Sequence, residues 1–282
     1  MMTDVIVDGK QIASDLKEVL RKSIALLRIP PVLAIVIVGE NPVIESFVRI
    51  KKKFGESIGI TILEFRFGTE ISGESLKTEV VKLSERSDID AIVIQLPLPE
   101  TIDAQSILDV VPVAKDVDVL SHASMVAFAS GESKIFPPVA GAVQEILERN
   151  HIAVEGREVL VLGNGRLVGK PVSILMRHNN AHVTQIDKPV KDLAEHVRES
   201  AVIISGVGTP SLITADMLGP GATLIDAGTS EQGGKIVGDA DPKCVDVATL
   251  FTPVPGGVGP IAVAMLFKNL VILSRANALR RG

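Results

Sequence analysis

Tyrosine and tryptophan are absent from this 282-residue chain, and cysteine occurs once, as Cys244. A single thiol forms no internal disulfide framework and no cysteine-based zinc site, and it suits a reducing cytosol. A basic surplus is also missing: 29 lysines and arginines stand against 34 aspartates and glutamates, a net charge of −5. That balance argues against a nucleic-acid binder. No run approaches the roughly 18 uninterrupted apolar residues of a membrane span. The N-terminus, with Asp4 and only a short apolar stretch, lacks a signal-peptide pattern. The five histidines (His122, His151, His178, His182 and His196) share no ligand spacing, so no metal site is expected. Together these features lead to the expectation of a cytoplasmic globular protein.

What is present is core. Hydrophobic residues make up 46% of the chain and charged residues 22%, enough for one large domain or two ordinary ones. Val- and Ile-rich runs at 33–38, 61–65, 91–96, 158–162, 182–186, 201–205 and 223–226 read as strands buried on both faces. Amphipathic stretches at 9–27, 42–58, 74–83 and 141–150 read as helices between them. This alternation predicts an α/β class with parallel sheets. The rhythm breaks between Asp118 and Pro138, where the first domain boundary is placed.

The most constrained segment is Thr252–Pro260, TPVPGGVGP. Its prolines fix φ and remove donors, while its glycines admit conformations closed to side chains. Such a backbone either links two elements rigidly or lies bare against a flat ligand, and it should open a final helix from Pro260.

Two further regions carry chemistry. After the strand at 158–162 comes GNGRLVGKP, with glycines at 163, 165 and 169. Strand, glycine turn and helix is the context of a dinucleotide site, although a structural turn reads almost the same. The following strand ends at Asp187, 24 positions beyond Gly163, near the place of a ribose-binding acid. A carboxylate there favours NAD by repelling a 2′-phosphate, with Lys188 and Arg166 as opposing charges. Later strands end in SGVG, containing Gly206 and Gly208, and in DAG, at Asp226–Gly228.

In the first half, Asn41 and Pro42 form a helix start, cap then first helical residue. Val43, Phe47, Ile50, Phe54 and Ile58 fall on one face, with Lys51 at its edge. Such a lysine either snorkels to water or lines a cleft, where desolvation would fit it for proton transfer. Gln95, closing the strand at 91–96, is placed to hold it. The charged run Lys115–Asp118 would ordinarily be an exposed turn.

These pieces resemble the bifunctional methylenetetrahydrofolate dehydrogenase/methenyltetrahydrofolate cyclohydrolase family, the FolD family. The resemblance rests on VGENP (38–42), IQLPLP (94–99), KDVD (115–118), VGKP (168–171), the pair Gly238–Asp239, and TPVPGGVGP. It implies a two-domain chain: a catalytic α/β domain over 1–138, completed by a returning helix at 261–282, and a Rossmann-like domain over 139–260. It implies oxidation of 5,10-methylenetetrahydrofolate with NAD or NADP, then hydrolysis to 10-formyltetrahydrofolate, by a homodimer. By position, Lys51 would handle the proton, Gln95 would tune it, and Asp118 would hold the pterin's amino-pyrimidine edge. Phe47, Leu96, Pro97, Pro255, Gly256 and Gly257 would contact substrate. Gly163, Asn164, Gly165, Arg166, Val168, Gly169, Asp187, Gly206, Gly208, Thr229 and Gly259 would line the cofactor.

The chain also departs from that family. Phe47 stands where the family carries tyrosine. Asn164 and Gly165 replace its Arg-Ser, which agrees with Asp187 in pointing to NAD. Val119, Leu120 and Ser121 replace Gly-Phe-His, Phe136–Val139 replaces Pro-Cys-Thr-Pro, and Ala262 stands near a missing threonine. These changes keep two alternatives in view: a same-scaffold enzyme with shifted substrate or lost hydrolysis, and a non-catalytic nucleotide-binding paralogue.

Overall fold

The computed structural model describes residues 6–188 and 190–281, with side chains as far as Asn277. Residues 1–5 of the expected first domain and Gly282 of the expected last helix lie outside the described residues. The element order is α1 (Gly9–Ala25), β1 (Val32–Val38), α2 (Pro42–Ser57), β2 (Thr61–Phe67), α3 (Gly73–Glu85), β3 (Ala91–Ile94), α4 (Ala104–Leu108), α5 (His122–Ala129) and α6 (Pro138–Arg149). It continues with β4 (Glu158–Leu162), α7 (Gly169–His178), β5 (His182–Ile186), α8 (Leu193–Glu199), β6 (Val202–Ser205), β7 (Thr223–Asp226), β8 (Ser230–Gln232), β9 (Lys235–Val237), β10 (Leu250–Phe251) and α9 (Val258–Arg281).

Two compact units result. One joins Ser14–Pro138 to the described part of Val263–Gly282; the other joins Val139–Ala262 to the described part of Met1–Ala13. The sequence reading assigns residues 1–138 to one domain, whereas residues 6–13 cluster with 139–262. The cause is local: Val7 N–H donates to Phe251 O at 2.9 Å, and Gly9 lies so close to the Gly256–Gly257 backbone that a Cβ would collide with it.

In the Ser14–Pro138 unit the sheet order is β2-β1-β3, all parallel. β1 shows why its apolar run is unbroken. Leu33, Ile35 and Ile37 pack under α1, α2 and α9, while Ala34, Val36 and Val38 pack against α3 and α4. Both faces are covered, so no position can be polar. The stretch Val258–Asn277 is long and apolar enough to cross a membrane, yet Phe267 and Leu270 are 0% exposed inside this core. Phe267 stacks on Phe54 at 5.1 Å between ring centroids. Truncating such a side chain costs about 3–5 kcal/mol.

The other unit holds a five-stranded parallel sheet, order β10-β7-β6-β4-β5, and the hairpin β8-β9. Leu160, Leu162, Ile203, Leu224 and Phe251 form part of its core, together with the buried Cys244.

Four local differences from the sequence reading have physical causes. The segment 118–138, expected to be irregular, contains α5, capped by Ser121 Oγ accepting from Ser124 N–H. The apolar face of α2 is rotated: Ile44, Val48 and Gly55 are buried, while Val43, Phe47 and Ile50 are 49%, 40% and 48% exposed. Gly55 decides this, because its bare Cα lets Ile62 and Phe267 approach where a Cβ would meet both at 2.8 Å. β3 stops at Ile94, before Gln95 and the cis Leu96–Pro97 bond. α9 begins at Val258, so Pro260 sits inside its first turn, where a missing N–H breaks no helical bond.

Candidate active site

Within the Ser14–Pro138 unit the candidate side chains meet at the carboxyl end of the sheet. β1 is flanked by β2 on one side and β3 on the other, so the strand order reverses at β1. Such switch points open crevices beyond strand ends. Asn41 starts α2 as expected, its Oδ1 accepting from Val43 N–H at 2.8 Å. Two turns on, Lys51 continues the buried stripe of Ile44 and Val48. Its Nζ donates to Gln95 Oε1 at 2.7 Å. Gln95 is itself fixed, 5% exposed, with its N–H on Val36 O at 2.9 Å and its Nε2 on Leu96 O at 2.8 Å. Leu96 is half-buried and Pro97 exposed beside it.

Burial lowers the Lys51 pKa, with the charge of Asp118 opposing that shift. Burial likewise pushes the Asp118 carboxyl up to about 6; Lys51 pulls it down and the nearby Asp116 charge adds to the rise. Each group therefore lies closer to neutral pH than its free form, which suits proton transfer. Phe47, 40% exposed on the neighbouring face of α2, presents its ring on the solvent side of that helix.

The Lys115–Asp118 run is not an exposed turn. Lys115 is buried, and its Nζ donates to Arg86 O at 2.6 Å. Asp116 accepts from Leu120 N–H at 3.2 Å and Ser121 N–H at 2.8 Å, clamping a turn in which Val119 has φ 58°. A β-branched residue in the left-handed region is strained, and Asp116 helps hold it there. From α9, Asn269 Nδ2 donates to Val117 O at 3.0 Å and Phe136 O at 2.7 Å. Asn277 Nδ2 donates to Ala114 O at 3.0 Å and Asp90 O at 3.4 Å. Asn269 and Asp116 were not legible as parts of the site. The only signal was a buried-looking amide in an apolar helix and a doubled acid in KDVD.

Within the other unit the candidate site is built from missing side chains. β4 lies between β5 and β6, again a reversal of strand order. Gly163 follows β4 with φ 99°, and its N–H donates to Ile186 O at 2.7 Å. A Cβ on Gly163 would lie 3.0 Å from Gly206 O; one on Gly206 would strike Val168, and one on Gly169 would strike Gly163 O. These four residues are thus brought together by close backbone approach. Gln185, not singled out from sequence, pins the turn by donating to Gly163 O at 3.0 Å and Asn164 Oδ1 at 3.2 Å. Asn164, Gly165, Arg166 and Asp187 are exposed around it, and a Cβ on Gly165 would meet nothing within 4 Å. α7 then begins at Gly169 with no side-chain cap; Lys170 N–H donates to Gly165 O at 3.2 Å and Pro171 has no N–H, so the Gly169 N–H is the first-turn donor left for a ligand. A glycine cradle beside an uncapped helix start fits a dinucleotide pyrophosphate.

Two buried carboxylates shape the remaining strand ends. Asp226 accepts from Gly228 N–H and Ala240 N–H, both at 2.9 Å, and burial pushes its carboxyl up to about 6. Asp239, 0% exposed, accepts from Ser205 Oγ–H and from three successive amides, Val207, Gly208 and Thr209, at 2.6–2.9 Å. Gly228 and Gly238 make room for these carboxylates, since a Cβ on either would collide with one of them. Thr229 is exposed just beyond. In TPVPGGVGP, Thr252 Oγ1 accepts from Asp226 N–H at 2.6 Å and Gly257 N–H donates to Pro253 O at 2.8 Å. The Val254–Pro255 bond is cis and Gly256 has φ 112°. Pro255 and Gly259 are exposed, Gly257 is buried, and a Cβ on Gly259 would meet nothing within 4 Å.

The chain matches two family models: the tetrahydrofolate dehydrogenase/cyclohydrolase catalytic domain over residues 7–118, and the NAD(P)-binding domain of the same family over 137–278. A bifunctional FolD protein of Exiguobacterium sibiricum is 35% identical over 271 residues, covering 95% of this chain and 98% of that relative. Among solved structures, the bifunctional FolD enzyme of Campylobacter jejuni superimposes with a TM-score of 0.93 at 31% identity, covering 96% of this chain and 98% of that one. The Trypanosoma brucei dehydrogenase-cyclohydrolase, complexed with NADP and an inhibitor, gives 0.92 at 32% identity and 99% coverage of both chains. With family models across most of its length and full-length relatives above 30% identity, this chain belongs to the tetrahydrofolate dehydrogenase/cyclohydrolase (FolD) family.

Proposed function

We propose that the protein oxidises 5,10-methylenetetrahydrofolate to the 5,10-methenyl compound with a nicotinamide dinucleotide, and hydrolyses that product to 10-formyltetrahydrofolate. The observation that carries this reading is the Lys51 Nζ–Gln95 Oε1 hydrogen bond of 2.7 Å, with Asp118 as the lysine's charge partner, in a chain of this family. When bound, the dinucleotide would supply the hydride acceptor for the methylene carbon. Gly163, Gly169 and the start of α7 would hold its pyrophosphate, with Gly206 packed against them.

The chain's own residues then do four things. Asp118 accepts hydrogen bonds from the amino-pyrimidine edge of the pterin, which fixes the ring. Phe47 offers an aromatic face to the aminobenzoyl ring. Lys51, its pKa lowered by burial, takes the proton of the water that adds to the methenyl carbon. It returns that proton to N5 as the carbon–N5 bond breaks, and the remaining hydroxyl proton of the adduct leaves to solvent, so the formyl group stays on N10. Gln95 keeps the amine aimed through this exchange.

NAD is the preferred dinucleotide in this reading. Asp187, exposed at the end of β5, would accept both ribose hydroxyls and repel a 2′-phosphate, and Asn164 and Gly165 bring no positive charge. A cytoplasmic homodimer completes the reading. β5 is the outer strand of its sheet, with His182 and Thr184 exposed, and gives a partner chain an edge to meet.

One spectrophotometric experiment tests the whole. Methylenetetrahydrofolate is supplied with NAD and, in parallel, with NADP, and absorbance of the methenyl product is followed as it forms and decays. Turnover with a higher kcat/KM for NAD is expected. Absence of any methenyl product rejects the enzyme reading, and a higher kcat/KM for NADP rejects the NAD preference alone.

A further inference from the structure

We propose that Asp239 is a positioning residue for the dinucleotide: its buried carboxylate moulds the loop 205–209 and takes up that loop's amides, so the loop meets the nucleotide without offering a phosphate site. The proposal rests on the dinucleotide reading above. Its basis is a complete account of one loop's donors. Gly206 N–H goes to Leu162 O at 3.0 Å, and Val207, Gly208 and Thr209 N–H all go to Asp239. Ser205 Oγ–H joins them at 2.6 Å. Successive amides converging on one point form an anion-binding nest. Here the anion belongs to the protein.

The arrangement has a purpose that a merely buried acid would lack. Left alone, a glycine-containing loop with three convergent amides beside the switch point could capture a phosphate and compete with the cradle at Gly163 and α7. With Asp239 in place, the loop is rigid and its donors are filled. Ser230 Oγ–H fastens its outer side by donating to Gly208 O at 2.8 Å. At the start of α7 the pyrophosphate is thereby left the Gly169 N–H, since Lys170 N–H already donates to Gly165 O at 3.2 Å and Pro171 has none. Gly206 is held in the one conformation that lets its backbone approach Gly163 and Val168. A shift of this loop would close or distort the cradle.

Asparagine at 239 can serve Gly208 and Thr209 with its oxygen, but its amide nitrogen then faces Val207 N–H, donor against donor. The test is a fluorescence titration with NADH, read directly because the chain has no tryptophan, run beside hydrolysis of methenyltetrahydrofolate without dinucleotide. For Asp239→Asn the NADH Kd should rise at least about tenfold, while hydrolysis, which belongs to the other unit's residues, stays within about twofold. Ser205→Ala, a milder loss of one donor to the same carboxylate, should raise Kd by about threefold with an unchanged melting temperature. That second variant decides the matter if Asp239→Asn does not fold. Ser205→Ala with the parental Kd overturns the proposal, as does loss of NADH binding that merely follows loss of hydrolysis. A parent protein that binds no NADH overturns the dinucleotide reading and this proposal together.

Discussion

The two units solve the same geometrical problem with opposite chemistry. Each places its candidate site beyond the carboxyl ends of parallel strands at a reversal of strand order, beside β1 in one and beside β4 in the other. In the first, the crevice is armed with ionisable side chains: Lys51 held by Gln95, with Asp118 opposite. In the second it is cleared of side chains, and the acids stand behind it, Asp226 and Asp239 gripping the loops from within. Two carboxyls, one per unit, are pushed up to about 6 by burial, yet they differ in use. Asp226 is bonded to backbone amides, while Asp118 accepts no hydrogen bond recorded among the described residues. A carboxylate with its donors supplied is structural; one with its oxygens open awaits a ligand.

If the division holds, variants should separate the two activities. The largest effect is expected for Lys51→Met, which removes the proton carrier. Hydrolysis should fall by roughly 10²–10⁴-fold, with NADH affinity at the parental value. Hydrolysis that survives unaltered removes Lys51 from its role. Next comes Gly169→Ala, whose methyl would strike Gly163 O. Misplacing a cofactor by an ångström costs about 10²-fold, so oxidation should collapse while hydrolysis of supplied methenyltetrahydrofolate continues; equal loss of both would mean that the units are not separable in function.

Two smaller changes sharpen the picture of the first unit. Phe47→Tyr restores a phenol to a chain that has none. One hydrogen bond contributes about 1 kcal/mol, so hydrolysis should rise roughly fivefold relative to oxidation. An unchanged ratio of the two rates would show that the hydroxyl has no part in hydrolysis. Asp118→Asn should weaken folate binding yet raise the melting temperature at pH 8 by about 2 °C, equivalent to ~1 kcal/mol after solvent screening. The sign follows from the carboxyl's shift from 3.8 to about 6. Between those values the folded protein holds a proton that the unfolded chain releases, so stability is lost as pH rises through 6. Above 6 the ionised Asp118 is a standing cost, and the variant's advantage should vanish near pH 4. Equal melting temperatures at pH 8 would remove burial as the cause of the shift.

Legibility in the sequence followed the same division. Strand runs such as Glu158–Leu162 and Thr223–Asp226 were readable to the residue, because their covered centres, Val159–Leu162 and Leu224–Ile225, form unbroken apolar runs bounded by polar residues or glycine. Gly163 and Gly169 of GNGRLVGKP could be read because a positive φ at the first and a close backbone approach at the second select glycine. The orientation of α2 could not, since Val43, Phe47 and Ile50 are as apolar as Ile44 and Val48. The deciding residue was Gly55, whose meaning depends on Phe267, 212 positions away. Helix α5 was hidden by its composition of small residues around Met125 and Phe128. Asp239 and Asn269 act through backbone groups distant in sequence, so no local pattern announces them, and Asp116, which grips amides four and five residues on, sits in a run that reads as an exposed charged turn.

The hydrogen bonds of Asn269 have a practical corollary for anyone shortening this protein. Its two amide protons fasten Val117, the residue before Asp118, to Phe136, and Asn277 fastens Ala114. The segment Asn269–Asn277 is therefore a keystone for this unit. A stop codon a few residues before position 269 would delete no proposed catalytic side chain, yet it would leave the carboxylate opposite Lys51 without its mounting.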